Sequence, residues 1–598
     1  MGRASKWLAG GTIMFVSAGI VSEVALAQTA PLPRQIPRPP TREEVERVPT
    51  RPPVPRAPKL SVEGEIERAP CALSGDQFRD IRFTVNTVMF DDLRGLTPQD
   101  LRPAYAEFVG TEQPVAVICE IRDRAATILR NAGYVAAVEV PEQRIADGNV
   151  RFQVLMAKLV SVRVRGDPGR AERTIAGYLQ RLTEQEVFNR YDAERYLLLA
   201  GDLPGYDVRL ALRSAGAGRG EVVGEVAVLR VPGEIDFNVQ NFGSKDLGRW
   251  GGLLRGQYYG LTGLGDRTSV AFFSTADLDE QQTLQIGHDF RIGSEGLTLA
   301  GQLTFAWADP DVDDTGFDVK ARTFLGTVEA RYPFLRTQAD SIYGAVGLDV
   351  INQRVNVNGD PLTRDRLRMG FLRLNVDSTD PDSLLGRNGY NAAEPRWRMS
   401  GALSLRQGLD IFDASEGCGP NLVRCRDSVT TPSRLEGDPT PLVIRSEFYG
   451  EVRPIPNLTF SAGMRAQLSD DPLFSFEEFS AGNYTVGRGY DAGTLLGDSG
   501  VGLQMEIRFG SILPKAENRA SIQPYLFFDA AKIRNEDRLT PDFNSNLSSI
   551  GGGVRSLYRG ATLDIALAVP LDRAGLQTRT PDPRLLVSLT TRLFPWSY

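Results

Sequence analysis

Histidine is almost absent from this 598-residue chain: His288 is the only one, and there are four cysteines. So few imidazole and thiol groups, split between distant regions, exclude a zinc enzyme, and the chain is too long for four cysteines to build its scaffold. Basic excess is lacking too. The formal net charge is −7 and the isoelectric point lies near 5.3, which leaves no basic stripe for nucleic acid. There is no Gly-x-Ser-x-Gly elbow, no Gly-x-x-x-x-Gly-Lys phosphate loop and no cysteine beside a base, so neither nucleophilic hydrolysis nor nucleotide-driven work has its residues. The chain reads as a non-enzyme that takes no cofactor and no metal. Past residue 28 no run approaches the 18 apolar residues of a membrane helix. Such a chain either stays soluble or crosses a membrane with strands closed into a barrel.

The N-terminus carries Arg3 and Lys6, an apolar run over residues 7–20, and Ala25-Leu26-Ala27. This is the form of a secretory signal peptide over residues 1–27, cleaved after Ala27. A membrane anchor would need roughly 20 apolar residues, more than the run supplies. Residues 28–70 contain eleven prolines and read as an extended Pro-rich linker. Thr41-Arg42-Glu43-Glu44 interrupts it with a capping box, which predicts a short helix over residues 41–48. At about 1.5 Å per residue that helix is about 12 Å long, too short to fill a membrane-depth pore.

From residue 71 two successive units share one plan. In the first (71–158), residues 81–85 alternate as a strand, Pro98 opens a helical stretch, residues 121–131 form a second helix stopped near Gly133, and residues 135–140 and 150–155 are strands. The second (159–232) repeats the order: a strand at 161–164, helices at 172–182 and 192–200, strands at 207–212 and 221–229. Two generic α/β modules read the same way. Cys71 and Cys119 fall in the first unit, Cys418 and Cys425 in one later loop. Export to an oxidising compartment favours bridges from Cys71 to Cys119 and from Cys418 to Cys425.

Residues 233–598 alternate instead. Leu297, Leu299, Gly301, Leu303, Phe305 and Trp307 are separated by Thr298, Ala300, Gln302, Thr304 and Ala306; Gln504, Glu506 and Arg508 are separated by Met505 and Ile507. A strand with one face in lipid and one in a polar lumen has this pattern. A soluble sandwich also alternates, but hides its apolar set. About sixteen such segments fit, an even number as in closed bacterial barrels. With the first strand running outward, Cys418 and Cys425 fall in the loop after the ninth strand and Arg488 in the loop after the eleventh. The C-terminus places Phe594, Trp596 and Tyr598 at alternate positions of a closing strand, with Pro595 unable to donate to its ladder.

Residues 483–498 form a glycine-spaced loop. Gly487, Gly489, Gly493 and Gly497 permit backbone conformations closed to other residues, so the loop can fold back and aim Arg488 at a fixed target. A flexible surface loop with a solvated arginine is the plainer alternative. The expected target is Asp529, on a strand where Tyr525, Phe527 and Asp529 share one face and Leu526 and Phe528 the other.

Several segments share a known pattern: Gly133-Tyr134-Val135 with residues 138–141, Asp147-Gly148 and 160–166; Tyr191-Asp192-Ala193-Glu194-Arg195 with Asp202-Leu203-Pro204-Gly205; Asn241-Phe242-Gly243-Ser244; and Gly263-Leu264-Gly265-Asp266. Together they resemble the two-partner secretion transporters of the TpsB (ShlB/FhaC) family along nearly the whole mature chain. That family's Val-Arg-Gly-Tyr loop signature stands here as Gly487-Arg488-Gly489-Tyr490, and its Asp-x-Gly strand signature as Asp529-Ala530-Ala531. Its long plug helix finds a poor match in residues 28–70. The resemblance implies two periplasmic α/β POTRA (polypeptide-transport-associated) domains, 71–158 and 159–232, then a transmembrane antiparallel β-barrel of about 16 strands over 233–598, in the bacterial outer membrane. It also implies capture of an unfolded, large secreted exoprotein (TpsA-like), export through the barrel, and outer-membrane lipid as surroundings. Client folding outside the cell would supply direction. Capture is expected by strand addition, chiefly at the strand 150–155 and the helix 121–131. A barrel-assembly factor, which generally carries more periplasmic domains, and a passive porin, which needs none, are the alternatives.

Overall fold

The computed structural model describes residues 39–46, 60–61, 71, 73, 75–214, 220–310, 318–426, 428–516, 518–539 and 545–595. The signal segment with its cleavage after Ala27, most of the linker, Val48, and Trp596 and Tyr598 lie outside the described residues.

Sixteen antiparallel strands, each bonded to its neighbours, close into a barrel, the first (Gly233–Gln240) pairing with the last (Arg584–Phe594). The alternation sets which way each side chain faces: on Gln523–Arg534, Tyr525, Phe527 and Asp529 are buried inward while Leu526 points out to lipid. Closure pairs every strand and leaves no edge in the membrane. No helix among the described residues is long and apolar enough to cross a membrane. The sixth, seventh and eighth strands, Val319–Arg336, Asp340–Val357 and Asp360–Thr379, run 18, 18 and 20 residues. A spanning strand needs only about 9–11, so these three overreach the lipid band. Pro595 follows the end of the last strand, so its missing N–H interrupts no ladder.

Both α/β units have the same three-stranded topology. In the first, Thr87–Asp91 runs parallel to Asn149–Met156 and Ala136–Glu139 antiparallel to it. The helix Val117–Asn131 covers the sheet with Ile118, Ile121 and Leu129 buried against Phe152. In the second, Lys158–Gly166 is parallel and Tyr206–Ser214 antiparallel to Glu221–Arg230, under the helices Glu172–Thr183 and Arg190–Gly201. The last strand of each unit is thus central. This corrects the expectation that residues 150–155 offer an edge: both sides of that strand are already paired, and the open edges of the first sheet belong to Thr87–Asp91 and Ala136–Glu139. In the second sheet the Tyr206–Ser214 edge is taken by the linker strand Leu60–Ser61, which adds in parallel.

The helix expected at Pro98 is also replaced. Asp100 accepts from Thr97 N at 2.8 Å, as at a helix start, but only a 3₁₀ turn Arg102–Ala104 forms. Pro103 has no N–H to continue the ladder. Cys71 is bridged to Cys119, and Cys418 to Cys425 in the loop after the ninth strand, Trp397–Gly408.

The second α/β unit is seated on the barrel mouth. Asp202 receives Arg336 Nε at 2.7 Å and Nη2 at 2.8 Å from the sixth strand. Arg170 Nη1 donates to Leu261 O at 2.8 Å in the turn after the second strand, Gly251–Tyr259. That turn is organised by Asp266, fully buried, whose Oδ1 accepts from Thr262 N at 2.9 Å and Gly263 N at 3.0 Å.

Candidate functional site

The loop after the eleventh strand, Leu458–Leu468, folds back into the lumen between two short paired strands, Phe479–Ala481 and Leu495–Gly497. Gly487 turns it with φ +115°, and an added Cβ there would meet Leu547 Cδ1 at 2.6 Å. Gly489 serves by close approach, with Ser549 Cβ and Pro570 N each 3.0 Å from where a Cβ would stand. Between them Arg488 meets Asp529 in three bonds: backbone N and Nε to Oδ2, each 2.9 Å, and Nη2 to Oδ1 at 2.6 Å. Its Nη1 donates to Glu506 Oε1 at 2.6 Å, and the guanidinium lies 3.7 Å from the Phe527 ring centroid. Asp529 is fully buried. The fork geometry, a second carboxylate and the ring face fix the arginine from three sides.

Neighbouring residues extend the latch. Arg555 donates from Nη1 to Glu506 Oε2 at 2.9 Å and from Nε to Asp564 Oδ2 at 2.8 Å, and stacks 4.2 Å over Tyr525. The Tyr490 hydroxyl lies 2.9 Å from Ser548 O and accepts from Asp572 N at 3.0 Å. Arg584 Nη1 donates to Tyr490 O at 2.6 Å and Nη2 to Gly243 O at 3.2 Å, tying the loop to the Asn241-Phe242-Gly243-Ser244 segment. Glu506, Arg555 and Arg584 were not singled out as partners by the sequence. The one available signal was their place on inward-facing positions, Arg555 just after the run Gly551-Gly552-Gly553, which leaves room for the rings of Phe527 and Tyr525.

A second cluster holds the capping-box segment. The single helical turn Arg42–Val45, with Thr41 and Glu44 capping each other, lies inside the barrel. Arg42 Nη2 reaches Asp349 Oδ2 at 2.9 Å and Nη1 reaches Glu477 Oε2 at 3.1 Å. Glu43 pairs with Arg465 at 3.1 Å, and Gln285 Nε2 donates to Val45 O at 3.1 Å. Val45 is fully buried among Leu325, Ile351, Met369 and Phe474. Arg406 bridges Glu477 (2.6 Å) and Asp349 (2.9 Å), and Arg445 reaches Glu477 at 3.0 Å. The helical turn spans four residues where the sequence predicts a helix over 41–48, and it occupies the lumen.

A closed sixteen-strand barrel, a loop latched to its inner wall and two α/β units of one topology, the second seated on the barrel mouth, define an outer-membrane transporter with periplasmic docking domains. The family of haemolysin secretion/activation proteins ShlB/FhaC/HecB matches residues 228–556, and the ShlB-type POTRA domain matches residues 83–156. The chain belongs to that family and is a two-partner secretion transporter of the outer membrane, with its POTRA domains in the periplasm. Among solved structures it is similar to CdiB from Escherichia coli, at 15% identity and TM-score 0.70 over 90% of this chain and 94% of that one. It is also similar to CdiB from Acinetobacter baumannii, at 15% identity and TM-score 0.59 over 88% and 91%. No curated protein matches it.

Proposed function

We propose that the chain captures a large, extended exoprotein of the TpsA kind by strand addition at its POTRA sheets, and passes it outward through the lumen once the Arg42–Val45 turn has left. The observation that carries this reading is that the lumen already holds a stretch of polypeptide, by ion pairs, one hydrogen bond from Gln285 and the packing of Val45, inside a ladder that closes without it. The pairs are suited to exchange. With the turn gone, Arg406 and Arg445 still face Asp349 and Glu477, two charges against two, so no buried charge is stranded. The Tyr206–Ser214 edge accepts the chain's own linker strand, which supports an extended client binding the POTRA sheets in the same way. In this reading the Gly487-Arg488-Gly489-Tyr490 loop and Asp529 hold the pore in its working geometry, and the protein is a conduit rather than an enzyme. It takes no cofactor, and client folding outside the cell gives direction.

The test is a covalent lock. Glu43→Cys with Arg465→Cys, joined by a bifunctional thiol reagent long enough to span the replaced ion pair, should stop export while either single cysteine variant, treated alike, exports normally. Export at the unlocked rate by the crosslinked protein would exclude passage through a cleared lumen.

A further inference from the structure

The outer wall of the barrel carries a basic patch that the transport function does not use. Strand order and register place Trp307, Arg322, Arg354 and Arg364 side by side on the fifth to eighth strands, near their extracellular ends. The next row toward the membrane is Phe305, Phe324, Asn352 and Arg366, and the row below it is Leu303, Gly326, Val350 and Arg368. All twelve share the outward parity of Leu303, Val328, Val346 and Leu372, which are exposed to lipid, whereas Leu325, Ile351 and Leu367 between them are buried inward.

Three guanidinium groups directly opposite one another on adjacent strands repel. Arg322, Arg354 and Arg364 are exposed, and among the described residues their guanidinium groups have no ion-pair or hydrogen-bond partner. Arg366 pairs with Asp413, and its Nε is buried without a hydrogen-bond partner among the described residues. Arg368 is held by Phe412 O, 3.0 Å from Nη2, in the loop after the ninth strand, and the Phe412 ring is left 70% exposed beside the patch. A cleft of about 420 Å³ opens here, lined by Phe305, Trp307, Phe324, Arg322, Arg354 and Arg364. Aliphatic, aromatic and cationic rows follow one another from the lipid band to the outer rim. That order matches a molecule with acyl chains below and anionic phosphates on a sugar above.

We propose that this patch binds a phosphorylated glycolipid of the outer leaflet, its phosphates between the arginines of the upper row and its chains against Phe305, Phe324 and the aliphatic row. Forked donors suit phosphate oxygens, and the bound anion relieves the repulsion along the row.

The experiment uses the full chain in detergent, with bisphosphorylated lipid A, dephosphorylated lipid A and inorganic pyrophosphate as probes. Bound lipid is read by native mass spectrometry and stabilisation by the thermal transition. Wild-type protein is expected to bind bisphosphorylated lipid A and to ignore the other two probes at equal concentration. With each arginine worth roughly a factor of five at an anionic surface, the triple variant Arg322→Gln, Arg354→Gln, Arg364→Gln should bind about a hundred-fold more weakly. The corresponding triple lysine variant should fall between the two. If the triple glutamine variant does not fold, Arg354→Gln alone decides, with a loss of about five-fold expected. Unchanged affinity in the glutamine variants, equal binding of dephosphorylated lipid A, or saturation by pyrophosphate would each overturn the proposal.

Discussion

The three bonds from Arg488 to Asp529 predict that the two residues act as one unit. Removing Arg488 strands the buried Asp529 carboxylate, a local cost of about 3–5 kcal/mol, whereas removing Asp529 leaves Arg488 held by Glu506 alone. The barrel ladder does not depend on that pair, so Arg488→Ala and Asp529→Ala should each lower client secretion while the folded band on unboiled gels persists. Arg488 also holds Glu506 and covers Phe527, so its loss should be at least as severe as that of Asp529. The double variant should match Arg488→Ala, and clearly additive losses would refute the unit. Asp266 makes a separate prediction at the POTRA junction. Burial works to raise its pKa, but the Thr262 hydroxyl and the turn's N–H groups outweigh this, so the carboxyl titrates below its ordinary 3.8. A depressed folded pKa stabilises above the unfolded value and loses that contribution as pH falls through the folded one. As pH falls below about 4 the wild type should therefore lose more stability than Asp266→Asn, measured as the difference in thermal midpoint at each pH.

At the scale of elements, the lumenal turn and the linker strand are the two pieces poised to exchange. Arg42 loses charged hydrogen bonds in Arg42→Ala, worth about 2 kcal/mol together once the remaining arginines are counted, or roughly thirty-fold in the plugged-to-open ratio. Single-channel recordings should show a higher open fraction in that variant, and an unchanged one would mean that Val45 packing and Glu43 suffice to hold the turn. The strand Leu60–Ser61 occupies an edge that an incoming client would need. Proline at both positions removes the linker's N–H donors. Affinity for a client fragment should then rise, measured by titration, whereas equal affinity would place capture at the free edges of the first POTRA sheet instead.

Across the whole molecule, the parts should fail separately. The bridge between Cys71 and Cys119 closes 48 residues of sequence separation within the first POTRA region. It stabilises that region by about 4 kcal/mol on the chain-entropy account. Cys71→Ala with Cys119→Ala should make the periplasmic part protease-sensitive and leave the barrel's shift between boiled and unboiled gels intact. Loss of that shift would mean that barrel and POTRA domain stand or fall together.

The sequence determined what depends on period and local chemistry. Inward and outward residues of the strand Leu297–Ala308, the capping box at Thr41 and Glu44, and the loops that hold Arg488 and Cys418 all follow from short-range pattern, because a two-residue repeat assigns faces and a hydroxyl three residues from a carboxylate caps a turn wherever it lies. Asp529 was legible as the arginine's partner through its strand face and the family signature. Only the tertiary structure decided which strands are central. Asn149–Met156 looks like an edge strand in one dimension and is central because it inserts between Ala136–Glu139 and the earlier strand Thr87–Asp91, parallel to the latter. It also decided that a four-residue turn sits in the pore, since Asp349 comes from the seventh strand and Arg465 and Glu477 from the eleventh strand and the loop after it, all far from Arg42 in sequence. The arginine row follows the same rule: Arg322, Arg354 and Arg364 are ordinary exposed residues in sequence, and barrel register alone makes them neighbours.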